Sequence, residues 1–388
     1  MSRLELVKSE NKRVDQLTEH FLSPVPFAVK SAADLERLRS EWVKRDSIPC
    51  QVASRDLATD HSWPGMDVRT LLSGDNSSGR ISVHDIVVAP GAGLPAHYQQ
   101  ASDAFLFVVD GEIELTVGRL CEVSRPKSYA YIPARTTTAL QNKSAAPARL
   151  YVLYSPAGLD RAFAEAHDLW VKSKDNAPAP YLAVLARYGF CFDRTGPLDN
   201  DARTKQTAER LDSKVASFED FASLREKWVS RPAIPKLIHG AAKGRRLRLS
   251  GPDASCIHGL VMASGDETRG RAVFFLGEAT AGYEAGPHYQ PSEEELFFVV
   301  DGELALTCGS KTRLVKAGGF GFAPRGATHA FRNTSNSPTW FITLNSPAGH
   351  ERGFEQIMEH ERNPTEGFID LLAAHGWQLH EFPMASPE

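Results

Sequence analysis

The 388-residue chain has no run of about 18 apolar residues, so it offers nothing to cross a membrane as a helix. Its opening stretch, MSRLELVKSENKRVD, holds no apolar segment of signal-peptide length and carries acidic residues, which argues against a secretory or transit leader. Charge of either sign is not in excess. The net value of −4 leaves no electrostatic footprint for nucleic acid or an anionic membrane, and neither partner is expected. Cysteine is scarce. Cys50, Cys121, Cys191, Cys256 and Cys308 form an odd, scattered set without a CxxC pair, which suits a reducing compartment and gives no zinc or redox motif. A cytoplasmic location is the expectation. No Ser-His-Asp order, P-loop or dinucleotide fingerprint appears. What is present is ordinary for a globular chain, 42% hydrophobic and 24% charged. At roughly 150 residues per domain, the length suggests two or three domains.

An internal repeat settles the organisation. Ser155-Pro156-Ala157-Gly158 returns as Ser346-Pro347-Ala348-Gly349, with Arg161 and Phe163 matched by Arg352 and Phe354. The same displacement of 346 − 155 = 191 carries FLFVVDGEIELT, starting at Phe105, onto LFFVVDGELALT, starting at Leu296. It also carries Asn142 onto Asn333 and Gly79-Arg80 onto Gly270-Arg271. Upstream, RLRSEWVKRDSIP from Arg37 is similar to SLREKWVSRPAIP from Ser223; downstream, VLARYGF at 184–190 is echoed by LLAAHGW at 371–377. Small changes of displacement mark loop insertions within one duplication. Each half has a short helix, a strand-rich core and a helical tail. The halves are expected at 1–198 and 199–388, with the polar segment from Asp199 to Lys214 as the linker.

Ser31-x-x-Asp34 and Ser217-x-x-Asp220 are helix start signals, followed by Leu35, Leu38 and Trp42, or Phe221, Leu224 and Trp228, on one face. Both tryptophans are expected to pack on the core. The cores read as short strands: Arg271 to Glu278, then Leu296 to Val300, with Asp301-Gly302 as a hairpin turn and Gly318-Gly319 and Pro324-x-Gly326 as punctuation. Such spacing indicates a barrel or sandwich rather than a parallel sheet.

In the second half Gly282 is followed by His288, Gln290, Glu295 and Gly302, and Gly318 by Pro324, Gly326, His329 and Asn333. These residues resemble the two motifs of the cupin superfamily, G-x5-H-x-H-x(3,4)-E-x6-G and G-x5-P-x-G-x2-H-x3-N. The second is matched in full and the first in all but its second histidine, where Gln290 stands. The resemblance implies an all-β-dominated fold of two tandem cupin barrels (double-stranded β-helix, or jelly roll) with short flanking helices. It also implies that His288, Glu295 and His329 are metal ligands, with Gln290 where a third histidine usually ligates. Residues 288 and 290 project from one face of a strand. Two imidazoles and a carboxylate make a set with vacancies that suits Fe(II); cupins also use Mn, Ni, Co or Zn. Gln290 coordinates loosely, or orients water or substrate, or else metal affinity has fallen. Alternation puts Glu293 on the face of Glu295 and Glu294 opposite, in what reads as a solvated acidic loop.

The first half keeps His97 and Gln99 of the set. Ala104 takes the carboxylate position, Thr138 the last histidine position, and Asp103 lies one residue out of phase. One histidine does not hold a divalent ion against water, so this barrel is expected to be metal-free. His20, His61, His84, His167, His239, His258, His350, His360, His375 and His380 fit no ligand spacing and read as surface or packing residues.

The overall plan looks most like the quercetin 2,3-dioxygenase-like group of two-barrel cupins, on the Pro-His-Tyr-Gln-x-x-Glu-x-Glu loop, the Phe-rich strand after it and the Pro-Ala-Gly segment. That resemblance implies a metal-dependent dioxygenase, with Glu295 both ligand and catalytic base, and with O2 and a small enolic or phenolic molecule as partners. Phe297, Phe331 and Trp340 are candidate pocket walls, although for each a plain core role is the leading reading. A cupin lyase, decarboxylase or isomerase, or a small-molecule-binding cupin without catalysis, stays open, as does a homo-oligomer.

Overall fold

The computed structural model describes residues 22–379 other than 46–47, 56–57, 175, 193–207, 213–214, 239–244, 252–253, 310 and 363–367. The expected boundary at 198/199, most of the expected linker, and His20, His239 and His380 lie outside the described residues. Each half closes into a barrel of one seven-stranded and one five-stranded antiparallel sheet. In the first, Asp103–Asp110, Ala148–Ser155 and Ser82–Val88 form the centre of the larger sheet, and Gly93–Gln99 and Thr138–Gln141 lie in the smaller. In the second, Glu294–Asp301, Thr339–Ser346 and Val273–Ala279 form the centre of the larger sheet, opposite Glu284–Tyr289 and His329–Arg332. The fold is two tandem cupin barrels with flanking helices.

The near-continuous apolar strands have a reason. Each is buried on both faces, so alternation sorts its side chains between two cores instead of between core and water. Leu106 and Val108 fill the first barrel, whereas Phe105 and Phe107 face the other domain. Phe297 and Val299 fill the second barrel, whereas Leu296 and Phe298 face the first. The two large sheets therefore pack against each other. Phe105 stacks on Phe274 at 3.8 Å and Tyr151 on Phe298 at 5.0 Å between ring centroids.

The halves also exchange strands. Gln51–Ala53, from the N-terminal half, pairs with Phe320–Ala323 of the second barrel. Lys236–Ile238, from the C-terminal half, pairs with Tyr129–Ile132 of the first. Both follow an Ile-Pro segment in the repeated sequence, so each half lends the other an edge strand and satisfies its unpaired backbone groups. Cys50, beside the first of these strands, is disulfide-bonded to Cys308 with 6.1 Å between their Cα atoms; Cys121, Cys191 and Cys256 are free. This corrects the expectation of unpaired thiols. The partners are 258 residues apart, and only the strand exchange brings them together.

The leading helices Ala32–Val43 and Phe218–Val229 start on Ser31 and Ser217, whose hydroxyls accept from the backbone N–H of Asp34 and Asp220. Trp42 and Trp228 are fully buried, as expected. Their indoles donate to Asp75 and Asp266 at 2.9 and 2.8 Å. A Cβ at Gly265 would stand 2.8 Å from the Trp228 ring, so glycine there admits the indole.

Candidate metal centre

Strand alternation and register assemble the site inside the second barrel. Glu295 shares the inward face of its strand with Phe297, and His288 and His329 are direct cross-strand partners. The imidazole centroids of His288 and His329 are 4.5 Å apart. Glu295 Oε2 lies 3.0 Å from His329 Nε2. One donor atom from each of the three residues falls within 4.8 Å of the others.

Hydrogen bonds fix which ring nitrogen faces inward. His288 Nδ1 donates to the carbonyl of Gly286 at 2.8 Å and His329 Nδ1 to that of Ala327 at 2.9 Å. A carbonyl can only accept, so each Nδ1 carries the hydrogen and each Nε2 is directed at the centre, the arrangement that metal-ligating histidines use. A lone-pair nitrogen and a carboxylate oxygen 3.0 Å apart repel unless a cation lies between them. A divalent ion fits between these donors.

Electrostatics favour ligation. Burial lowers the His288 pKa to about 4, with His329 adding to the effect, so the ring is neutral. Burial pushes Glu295 upward, but the hydrogen bond from His329 and the neighbouring imidazoles outweigh it and hold the carboxyl at about 2. The site thus presents an anionic carboxylate and a neutral imidazole at physiological pH.

Gln290 is buried, and its amide nitrogen stands 3.3 Å from both Glu295 Oε2 and His350 Nε2. Its carbonyl oxygen is the group that could meet a cation or substrate. His350, which sequence spacing left among packing residues, belongs to this site. Its Nδ1 donates to Glu293 Oε2 at 2.6 Å, its Nε2 accepts from Trp377 Nε1 at 2.6 Å, and that same Nε2 is 4.0 Å from Glu295. An indole N–H only donates, so this geometry selects the His350 tautomer protonated on Nδ1. Glu293 is in turn paired with Arg225, whose Nε donates to the Ala348 carbonyl at 3.0 Å.

The acidic loop is not solvated. Glu293 and Glu294 are each 1% exposed. Glu293 faces inward to His350; Glu294 faces the domain junction, held by Arg80 at 3.1 Å and Arg325 at 2.6 Å. Guanidinium partners make burial of both carboxylates tolerable. Phe297 and Phe331 flank the centre, with the Phe297 ring 6.2 Å from His329. Trp340 does not join them: it lies at the domain junction under Lys127 Nζ, 3.7 Å from the ring centroid.

The first barrel shows the same frame without the donors. Thr138 pairs with His97 as His329 pairs with His288. Ala104 faces inward where Glu295 does. Asp103 turns outward to Tyr131 Oη and the Ala134 N–H, both at 2.8 Å. Phe190 and Phe192 cover His97 at 4.8 and 5.9 Å. The duplication held the missed signal: His350 aligns with Leu159, Glu293 with Ser102 and Trp377 with Phe190. Within these aligned pairs, the ionisable and indole groups stand in the half that keeps the His288, Glu295 and His329 cluster.

Comparison with known proteins agrees with this architecture. The cupin domain model matches the chain twice, over residues 84–154 and 276–345, so the chain carries one cupin domain in each half. No curated protein sequence matches it. The solved oxalate decarboxylase of Lactobacillus farciminis, in its formate complex, is similar at 13% identity, covering 88% of this chain and 98% of that one with a TM-score of 0.50. An oxalate decarboxylase from Bacillus subtilis is similar at 10% identity, 87% and 91% coverage and a TM-score of 0.47. AerE from Microcystis aeruginosa gives 12%, 73% and 93%, and 0.43. At these identities the likeness is one of fold.

Proposed function

We propose that the second barrel holds one divalent ion on His288, Glu295 and His329 and is the active centre of a metal-dependent enzyme acting on a small molecule with an acidic hydroxyl. The observation that carries this is the convergence of three donor atoms within 4.8 Å, with both Nδ1 atoms tied to carbonyls. A bound ion would supply Lewis acidity and, for iron, redox chemistry toward O2. The protein's own residues do the rest. Glu295, ionised, accepts the proton of a substrate hydroxyl held against the centre. Gln290 orients that hydroxyl and holds the Glu295 oxygen, and Phe297 and Phe331 exclude water from the inner wall.

The resemblance to quercetin dioxygenase-like bicupins and the 2-His-1-carboxylate set favour Fe(II) and oxidative cleavage of an enolic or phenolic substrate. A second reading has its own support. The buried Glu293–His350 pair, with the His350 Nε2 4.0 Å from Glu295, is suited to exchanging protons without oxygen, as a lyase, decarboxylase or isomerase requires. Anaerobic loading with Fe(II), Mn(II) or Zn(II), followed by O2-uptake and product assays over enolic and phenolic substrates, separates the two. Iron-dependent O2 consumption supports the dioxygenase; turnover with zinc in the absence of oxygen supports the lyase class. A metal-loaded chain that converts none of them refutes the catalytic reading.

A further inference from the structure

A second cleft, of about 510 Å³, lies at the domain junction away from the barrel interiors. Arg135 from the first domain and Arg269 and Arg271 from the second line it, around the single carboxylate of Asp103. Asp103 is already engaged: Tyr131 Oη and the Ala134 N–H donate to it, and Arg271 Nη1 lies 3.0 Å away as an ion pair. Three guanidinium groups against one carboxylate leave an excess of two positive charges. Among the described residues, buried Arg269 Nε has no hydrogen-bond partner, and Arg271 Nη1 has the Asp103 ion pair alone. Buried donors left unmatched are costly, and such groups in a native fold call for a partner. Pro133, Pro232 and Pro235 stiffen the walls.

The duplication supplies the contrast. At the pseudo-equivalent place Glu294 corresponds to Asp103, and Arg80 and Arg325 close on it directly. In the first domain Ala134 stands where Arg325 does, while Arg135 and Arg269 replace Gly326 and Ser78. Arg271, the counterpart of Arg80, still pairs with the carboxylate, while Arg135 and Arg269 stand beside the open space.

We infer that this cleft binds a small dianion, through a phosphate group or a pair of carboxylates, held between the two domains by Arg135, Arg269 and Arg271. Guanidinium forks match both oxyanions in planar, two-bond geometry. The site is separate from the metal centre, and its test is independent of any turnover.

Calorimetric titration of the full chain with inorganic phosphate and with malonate, at constant ionic strength with chloride as control, is the experiment. One ion per chain is expected, with a raised melting temperature, because the ligand bridges both domains. Phosphate alone binding assigns a phosphate-bearing ligand; malonate alone assigns a dicarboxylate. Arg269→Gln and Arg135→Gln should each weaken binding by about tenfold or more, and His329→Ala should leave it unchanged. Arg135 is exposed, so its variant reports even if Arg269→Gln folds poorly. The inference is overturned by the absence of binding to either anion, by equal affinity in the Arg135→Gln variant, or by loss of binding in His329→Ala, which would put the anion at the metal centre.

Discussion

His97 tests how the two barrels differ in electrostatics. It is 3% exposed, covered by Phe190 and Phe192, and its only described hydrogen bond runs from Nδ1 to the Pro95 carbonyl. Burial lowers its pKa from 6.5 to about 4 against the small opposing effect of that bond. The folded chain therefore keeps His97 neutral where the unfolded chain takes up a proton. The stability it contributes is full above pH 6.5 and is lost as pH falls from 6.5 toward 4. At about 1.4 kcal/mol per unit, the whole window is worth about 3 kcal/mol, of which about 2 is lost between pH 7 and pH 5. That is a large part of a typical domain's stability of about 5–15 kcal/mol. Urea unfolding of the EDTA-treated chain and of His97→Gln at both pH values isolates the effect, since other buried histidines are common to both. The variant should be less stable at pH 7 yet lose about 2 kcal/mol less on acidification. Equal losses would mean that His97 is charged or solvated in the fold, and its burial beneath Phe190 and Phe192 would fail as a description of the protein in solution.

Two further outcomes follow from the site and the strand exchange. Glu293→Gln weakens the bond that orients His350 beside Gln290 and Glu295; metal affinity should drop by about 10–100-fold while the far-UV spectrum is unchanged, and unaltered affinity would reduce His350 to a packing residue. Denatured but unreduced protein should titrate three thiols, Cys121, Cys191 and Cys256; five would show that Cys50 and Cys308 are not bonded.

The fold and the convergence of His288, Glu295 and His329 were legible because they are encoded locally. The repeat of Ser-Pro-Ala-Gly, the hairpin Asp-Gly and the motif spacings all lie within short windows, and strand period alone places Glu295 and Glu294 on opposite faces. The surroundings of those faces were not legible. Glu293 and Glu294 look like a solvated loop in sequence, yet Arg225 arrives from a helix some seventy residues earlier and Arg80 from the other domain. Trp377 reaches His350 because the short strand Gln378–Leu379 pairs beside His288. Trp340 stayed open between pocket wall and core packing because its aromatic character says nothing about which face it occupies. Pairings over such separations depend on the tertiary fold, and the exchanged strands that join Cys50 to Cys308 are the extreme case.

Metal content per chain is the most direct measurement of the central claim. Protein loaded with a divalent ion and desalted should retain one equivalent, His329→Ala and Glu295→Ala should retain none, and His97→Ala should retain one. An unmodified chain that keeps no ion, or a His329→Ala variant that keeps a full equivalent, would contradict it.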